Sequence, residues 1–223
     1  MVHRTPFILP LLYSSLTWRM QPDQKTLYLT FDDGPVPGPT EFVVDTLKRA
    51  GIRATFFCIG DNIRKNPEIF GSVLANGHAI GNHTFNHLNG WKASTDDYEK
   101  NVVSCTNEIN AHAGAGYSSR IPLFRPPFGR ISRDQIKRLI PEYRIIMWDV
   151  LSVDYNHSLL AEKCLKNTIA AARAGSIIVF HDSYKAEKNL TYTLPRFVEH
   201  CMEKGFAFDT IAGRGSDVRK VIS

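Results

Sequence analysis

Short apolar runs alternate with amphipathic helical segments from residue 26 to residue 211, and that alternation leaves few folds open. Residues 26–31 (TLYLTF) are an apolar run that stops at Asp-Asp-Gly-Pro, which reads as a buried strand ending in a turn. Residues 39–50 place Phe42, Val43, Leu47 and Ala50 at helical spacing and stop at Gly51. The pattern then repeats. Strands are expected at 54–59, 79–83, 123–125, 143–150, 176–180 and 206–211. Helices are expected at 67–76, at 95–113 behind a Ser94 or Thr95 cap, from the Ser132 cap to 140, and at 159–174 and 191–204. Such a succession predicts a parallel α/β sheet with crossover helices, closing as a distorted (β/α) barrel of seven or eight strands. An open doubly wound sheet is the alternative, but its G-x-G-x-x-G fingerprint is absent.

With 223 residues, 43% of them hydrophobic, the chain can bury one substantial core. No internal repeat or linker divides it, so residues 26–212 read as one domain, with 1–25 packing on it and 213–223 as a tail. The net charge of +5 is scattered, without the basic run of a nucleic-acid face. The cysteines at 58, 105, 164 and 201 lack metal-knuckle or disulfide-scaffold spacing and read as free thiols. The apolar stretch 7–16 is too short to span a bilayer and lacks the flanks of a signal peptide, so a cytoplasmic monomer is expected.

The unusual polar residues fall just after strands, where a barrel builds its active site. Asp32 and Asp33 follow the first strand, His83 and His87 the third, and Arg125 the fourth. Asp149 and Asp154 follow the fifth, and His181 with Asp182 the sixth. Two histidines four residues apart suit a shared divalent metal, on the reading that they lie on one face of a helical turn. They could equally be a satisfied polar pair, until one aspartate of the Asp32-Asp33 pair supplies a third ligand. Successive side chains at a strand end diverge, so one aspartate can bind metal while its neighbour takes a proton. A plain turn would explain Asp-Asp-Gly-Pro but not the histidines downstream.

Four motifs in order, Thr30-Phe31-Asp32-Asp33-Gly34-Pro35, His83-Thr84-Phe85-Asn86-His87, Arg125-Pro126-Pro127-Phe128-Gly129 and Ile177 to His181-Asp182, resemble those of the polysaccharide deacetylases, the NodB-homology domains of carbohydrate esterase family four. The resemblance covers about residues 26–212. It implies a distorted (β/α) barrel, a divalent metal (zinc, with cobalt possible) and hydrolysis of N-acetyl groups on amino-sugar polymers. By the same resemblance Asp32 is the catalytic base, and Asp33, His83 and His87 are the metal ligands. Arg125 orients the base, the Phe128 N–H helps hold the oxyanion, and His181 is the general acid with Asp182 supporting it. The family's Asp-x-x-Asp-Trp motif stands here as Leu151-Ser152-Val153-Asp154-Tyr155. Only Asp154 keeps its type, and Asp149 is a candidate to replace the missing carboxylate beside Arg125.

Trp91, Phe128 and Tyr155 are candidate sugar platforms, whereas Trp148 reads as a core aromatic. His78 and His200 read as structural, and Lys185, Glu187 and Lys188 as a solvated charged loop. The expected partner is an N-acetylated glycan. Three other functions compete: an O-acetyl esterase on acetylated polysaccharide, an inactive metal-binding carbohydrate module, and a non-haem iron oxygenase, whose facial triad also uses two histidines and a carboxylate. The presence of both a base, Asp32, and an acid, His181, argues against the oxygenase.

Overall fold

A computed structural model describes residues 3–21, 25–113 and 122–211; the tail assigned to 213–223 lies outside them. Among the described residues, a short helix α1 (Ile8–Leu12) precedes strand β1 (Thr26–Asp32) and helix α2 (Pro39–Ala50). Then come β2 (Thr55–Cys58), α3 (Gly60–Lys65), α4 (Pro67–Ala75), β3 (Ala79–Asn82) and α5 (Thr95–Ala113). The chain continues through β4 (Leu123–Phe124), α6 (Arg133–Leu139), β5 (Arg144–Ile145), β6 (Val150–Leu151), α7 (Ala161–Ala171), β7 (Ile177–His181), α8 (Glu187–Glu203) and β8 (Ala207–Phe208). All strand pairings are parallel, in the order β5-β4-β3-β2-β1-β7-β6, with β8 also against β1.

β1 shows why this sheet is apolar on both faces. Leu27, Leu29 and Phe31 point outward and pack with Val43 and Leu47 of α2 and with Leu194 and Phe197 of α8. Tyr28 faces inward with Phe57, Leu123, Ile146 and Ile177. Thr30 and Asp32 share that inner face, because side chains alternate along a strand. Gly81 of β3 is required there: a Cβ would lie 2.4 Å from the Phe57 ring.

The sheet curls but its end strands β5 and β6 do not pair with each other. The N-terminal segment fills the seam. Thr17 bridges Ile146, Arg4 bridges Val150, and Arg19 bridges Ser176. The Thr5 N–H donates to the Asp149 carbonyl, and the Leu151 N–H to that of His3. The single strand expected at 143–150 is therefore two short strands separated by Ile146 to Asp149, whose backbone serves other partners. The four cysteines are free and buried. No helix among the described residues is long and apolar enough to cross a membrane.

Candidate active site

The C-terminal ends of β1, β3, β4, β6 and β7 and the loops leaving them carry the polar residues singled out in the sequence, except Asp149, which lies between β5 and β6. These loops are also where the backbone is held in the left-handed region by residues other than glycine. The five such residues described, Asp33, Thr84, His87, Phe128 and Val153, all lie in loops after strand ends. Each costs on the order of 1–3 kcal/mol. The surrounding packing over-determines those conformations.

Asp32 ends β1 inside the barrel. Its Oδ1 accepts a 2.6 Å hydrogen bond from Nη1 of Arg125, whose side chain is fully buried. Arg125 also donates to the Thr30 hydroxyl at 2.8 Å, to the Met147 carbonyl at 3.0 Å and to the Ile146 carbonyl at 3.3 Å. Its guanidinium lies 4.1 Å from the Phe57 ring centroid. A guanidinium this deep is tolerable only because each of its three nitrogens has a hydrogen-bond partner. Asp149 is not among these partners, which corrects the expectation that it replaces the missing carboxylate beside Arg125. It sits instead at the seam with Arg4, Arg19 and Arg173 at 3.3–3.6 Å and accepts from the Ser176 hydroxyl at 2.6 Å. Two main-chain carbonyls take the place of that carboxylate. Thr30 was not singled out in the sequence, although its i, i+2 relation to Asp32 places both on one face.

Asp33 turns away from its neighbour. Its Oδ1 lies 3.3 Å from Nε2 of His87 and 3.7 Å from Nε2 of His83, and it is buried without a hydrogen-bond partner. Burial pushes the Asp33 carboxyl up, but the His87, His181 and His83 imidazoles outweigh it and hold the group well below the usual carboxylate range. His83 is pushed down to about 4, chiefly by burial, so its ring is neutral. Its Nδ1 bonds the Arg125 carbonyl at 2.8 Å, which leaves the Nε2 lone pair aimed at Asp33. The His83–His87 segment is not a helical turn; the left-handed Thr84 and His87 fold the loop so that the two rings meet, centroids 5.2 Å apart. Among the described residues, Asp33, His83 and His87 are the His/Cys/Asp/Glu cluster whose ligand atoms converge, within 4.8 Å of one another. An orphaned carboxylate oxygen facing two imidazole nitrogens is a donor set suited to a divalent cation.

His181 ends β7. Its Nδ1 bonds Asp154 Oδ1 at 2.8 Å and its backbone N–H donates to Asp154 Oδ2 at 2.8 Å, leaving Nε2 for the site. Burial alone would push the imidazole down, but the charge and hydrogen bond of Asp154, then Asp33 and Asp32, raise it to about 9. Asp182 does not support His181. Its carboxylate accepts from the Gly34 N–H at 3.1 Å and from the Thr40 hydroxyl at 2.7 Å, pinning the loop that carries Asp33. A Cβ at Gly34 would lie 2.0 Å from that carboxylate. Burial pushes Asp182 up to about 8, with Asp33 adding to it.

The Phe128 ring lies 4.5 Å from that of His87, and Tyr155 meets His181 edge-on at 5.0 Å. Trp91 is highly exposed; its Nε1 donates to the Ile131 carbonyl, and the Arg130 guanidinium lies over its ring. Trp148 is half-buried against two core clusters. His78 is structural, its Nδ1 accepting from the Ala54 N–H at 3.2 Å.

Residues 19–140 match the family model for polysaccharide deacetylase. A peptidoglycan-N-acetylglucosamine deacetylase of Bacillus cereus is 32% identical over 82% of this chain, which spans 66% of that relative's length. A chitooligosaccharide deacetylase of Azorhizobium caulinodans is 34% identical over 74% of this chain and 77% of its own. Among solved structures, the Bc1960 peptidoglycan N-acetylglucosamine deacetylase superposes with a TM-score of 0.83 at 29% identity, covering 93% of this chain and 95% of that one. Sequence, curled parallel sheet and rim residues converge, and the chain belongs to the polysaccharide deacetylase family.

Proposed function

We propose that the chain is a divalent-metal-dependent hydrolase that removes N-acetyl groups from amino-sugar glycans of the peptidoglycan or chitin type, releasing acetate. The observation that carries this reading is the separation of three devices around one point. An orphaned Asp33 oxygen faces two imidazoles, Asp32 is held by Arg125, and His181 is held by Asp154. Asp33, His83 and His87 would hold a divalent cation, zinc or cobalt, which would supply Lewis acidity toward a water and the acetamide carbonyl.

The remaining work belongs to the chain. Asp32 accepts the proton of the attacking water, and Arg125 keeps its Oδ1 fixed. The Phe128 N–H is a donor for the developing oxyanion. His181, kept protonated beside Asp154, delivers a proton from Nε2 to the departing nitrogen as its bond to the acetyl carbon breaks. The products are acetate and a free amino sugar. Phe128, Tyr155 and Trp91 provide ring surfaces for the glycan.

The test is acetate and free-amine release from chitotetraose, peptidoglycan glycan strands and O-acetylated xylan, with and without chelator. Equal amounts of acetate and amine, abolished by chelation and restored by zinc or cobalt, are expected from the N-acetylated substrates. Acetate without new amine, or a rate indifferent to chelation, would overturn the reading.

A further inference from the structure

Two basic side chains lie over the rings of Phe128 and Tyr155, which themselves lie against the imidazoles of His87 and His181. On the His87 side, the Arg130 guanidinium is 5.2 Å from the Trp91 ring centroid and 5.8 Å from that of Phe128. On the His181 side, the Lys185 ammonium is 5.5 Å from the centroid of Tyr155. Both cations are exposed, as are Trp91 (67%) and Phe128 (58%). Neither cation forms an ion pair with a described residue. The site's own acids are turned to other groups: Asp32 bonds Arg125, Asp154 bonds His181, and the Asp33 oxygen faces His83 and His87. The charge of Arg130 and Lys185 is therefore not consumed inside the protein.

Stacking on a ring restrains each cation while its N–H groups still point outward. A stacked guanidinium keeps its in-plane donors for a two-point bond to a carboxylate. Resting on the deacetylase reading above, we propose that Arg130 and Lys185 recognise a carboxylate carried by the glycan beside the acetamide being cleaved, so that the site favours acidic N-acetylated glycans over neutral ones. This gives a role to Lys185, which the sequence alone places in a solvated charged loop.

The experiment compares one polymer in two charge states. Peptide-free peptidoglycan strands, whose muramic acid residues carry free lactyl carboxylates, are assayed for acetate release beside the same strands converted to methylamides. The parent protein is expected to prefer the charged strands in kcat/KM, mostly through KM. Lys185→Gln and Arg130→Gln should each lower that preference roughly three- to fivefold, and Lys185→Arg should retain it. Raising the salt from about 50 to about 500 mM should shrink the parent's preference by a similar factor. No preference in the parent, or a preference unaltered in the Lys185→Gln/Arg130→Gln double variant, would overturn this inference and leave the deacetylase reading intact. Absence of acetate from both strand types and from chitotetraose would overturn both.

Discussion

Among the described residues, two buried carboxylates are served by arginine, and they are built in opposite ways. At the rim, Asp32 meets one guanidinium, fully buried, whose three nitrogens also bond Thr30 and two main-chain carbonyls. At the seam, Asp149 meets three arginines whose side chains are 36–49% exposed. The rim pair holds one oxygen in one place. The seam cluster ties the N-terminal segment and the residues before β7 to the loop between β5 and β6, and it has spare cations in contact with water. The burial of the cation, not the presence of the ion pair, separates a positioned reactive group from a fastening.

The comparison breaks most sharply on turnover. Asp32→Asn should keep metal, bound by Asp33, His83 and His87, while kcat falls by roughly two to four orders of magnitude, the usual worth of a general base. Asp149→Asn should leave kcat within about twofold. Parallel turnover and elemental analysis of the two purified variants check this; loss of metal in Asp32→Asn would reverse the roles of the adjacent aspartates.

Stability comes next. Arg125→Met leaves Asp32 without its partner in the barrel interior, and a buried charge stripped of its partner costs about 3–5 kcal/mol. Asp149→Asn loses the Ser176 bond and an attraction that water already weakens, about 1–2 kcal/mol. Denaturant titration measures both, and an equal loss at the two sites would erase the distinction.

A pH effect sharpens the rim further. His181 stands at about 9 against an ordinary 6.5, so its stabilisation is complete below about 6.5 and is lost as pH rises through 9. The alkaline limb of the rate should follow the same proton and fall near pH 9. In Asp154→Asn the limb should move toward 6.5 and the stability slope between those values should flatten. An unmoved limb would mean that His181 is not the acid. The smallest effect is expected from salt: about 1 M NaCl should lower the seam's contribution by no more than about 1 kcal/mol, seen as a reduced difference between parent and Asp149→Asn.

Where periodicity and punctuation agree, the sequence was legible to the residue. The helices at 39–50 and 95–113 match their expected bounds: the apolar spacing of the first stops at Gly51, and Ser94 caps the second. α1 and α3, of five and six residues, are too short to show a period. α8 begins at Glu187, earlier than the expected 191, and runs through Pro195. The run at 143–150 has strand composition throughout, yet its middle is drawn off by Thr17 and by Arg125, partners more than a hundred residues away and about twenty residues away respectively.

The site divides in the same manner. Residue types and their spacing after strands announced Asp32, Asp33, His83, His87, Arg125 and His181, since chemistry needs those side chains and a parallel sheet gathers strand ends at one edge. Which acid holds which base was not in the sequence. Asp154 rather than Asp182 bonds His181, carbonyls rather than Asp149 complete Arg125, and left-handed Thr84 and His87 rather than a helical turn bring two imidazoles together. Local pattern determined the elements and the edge at which the reactive side chains emerge. Only the tertiary structure decided the pairings, because hydrogen-bond partners are selected by distances of about 3 Å between segments that the chain separates by tens of residues.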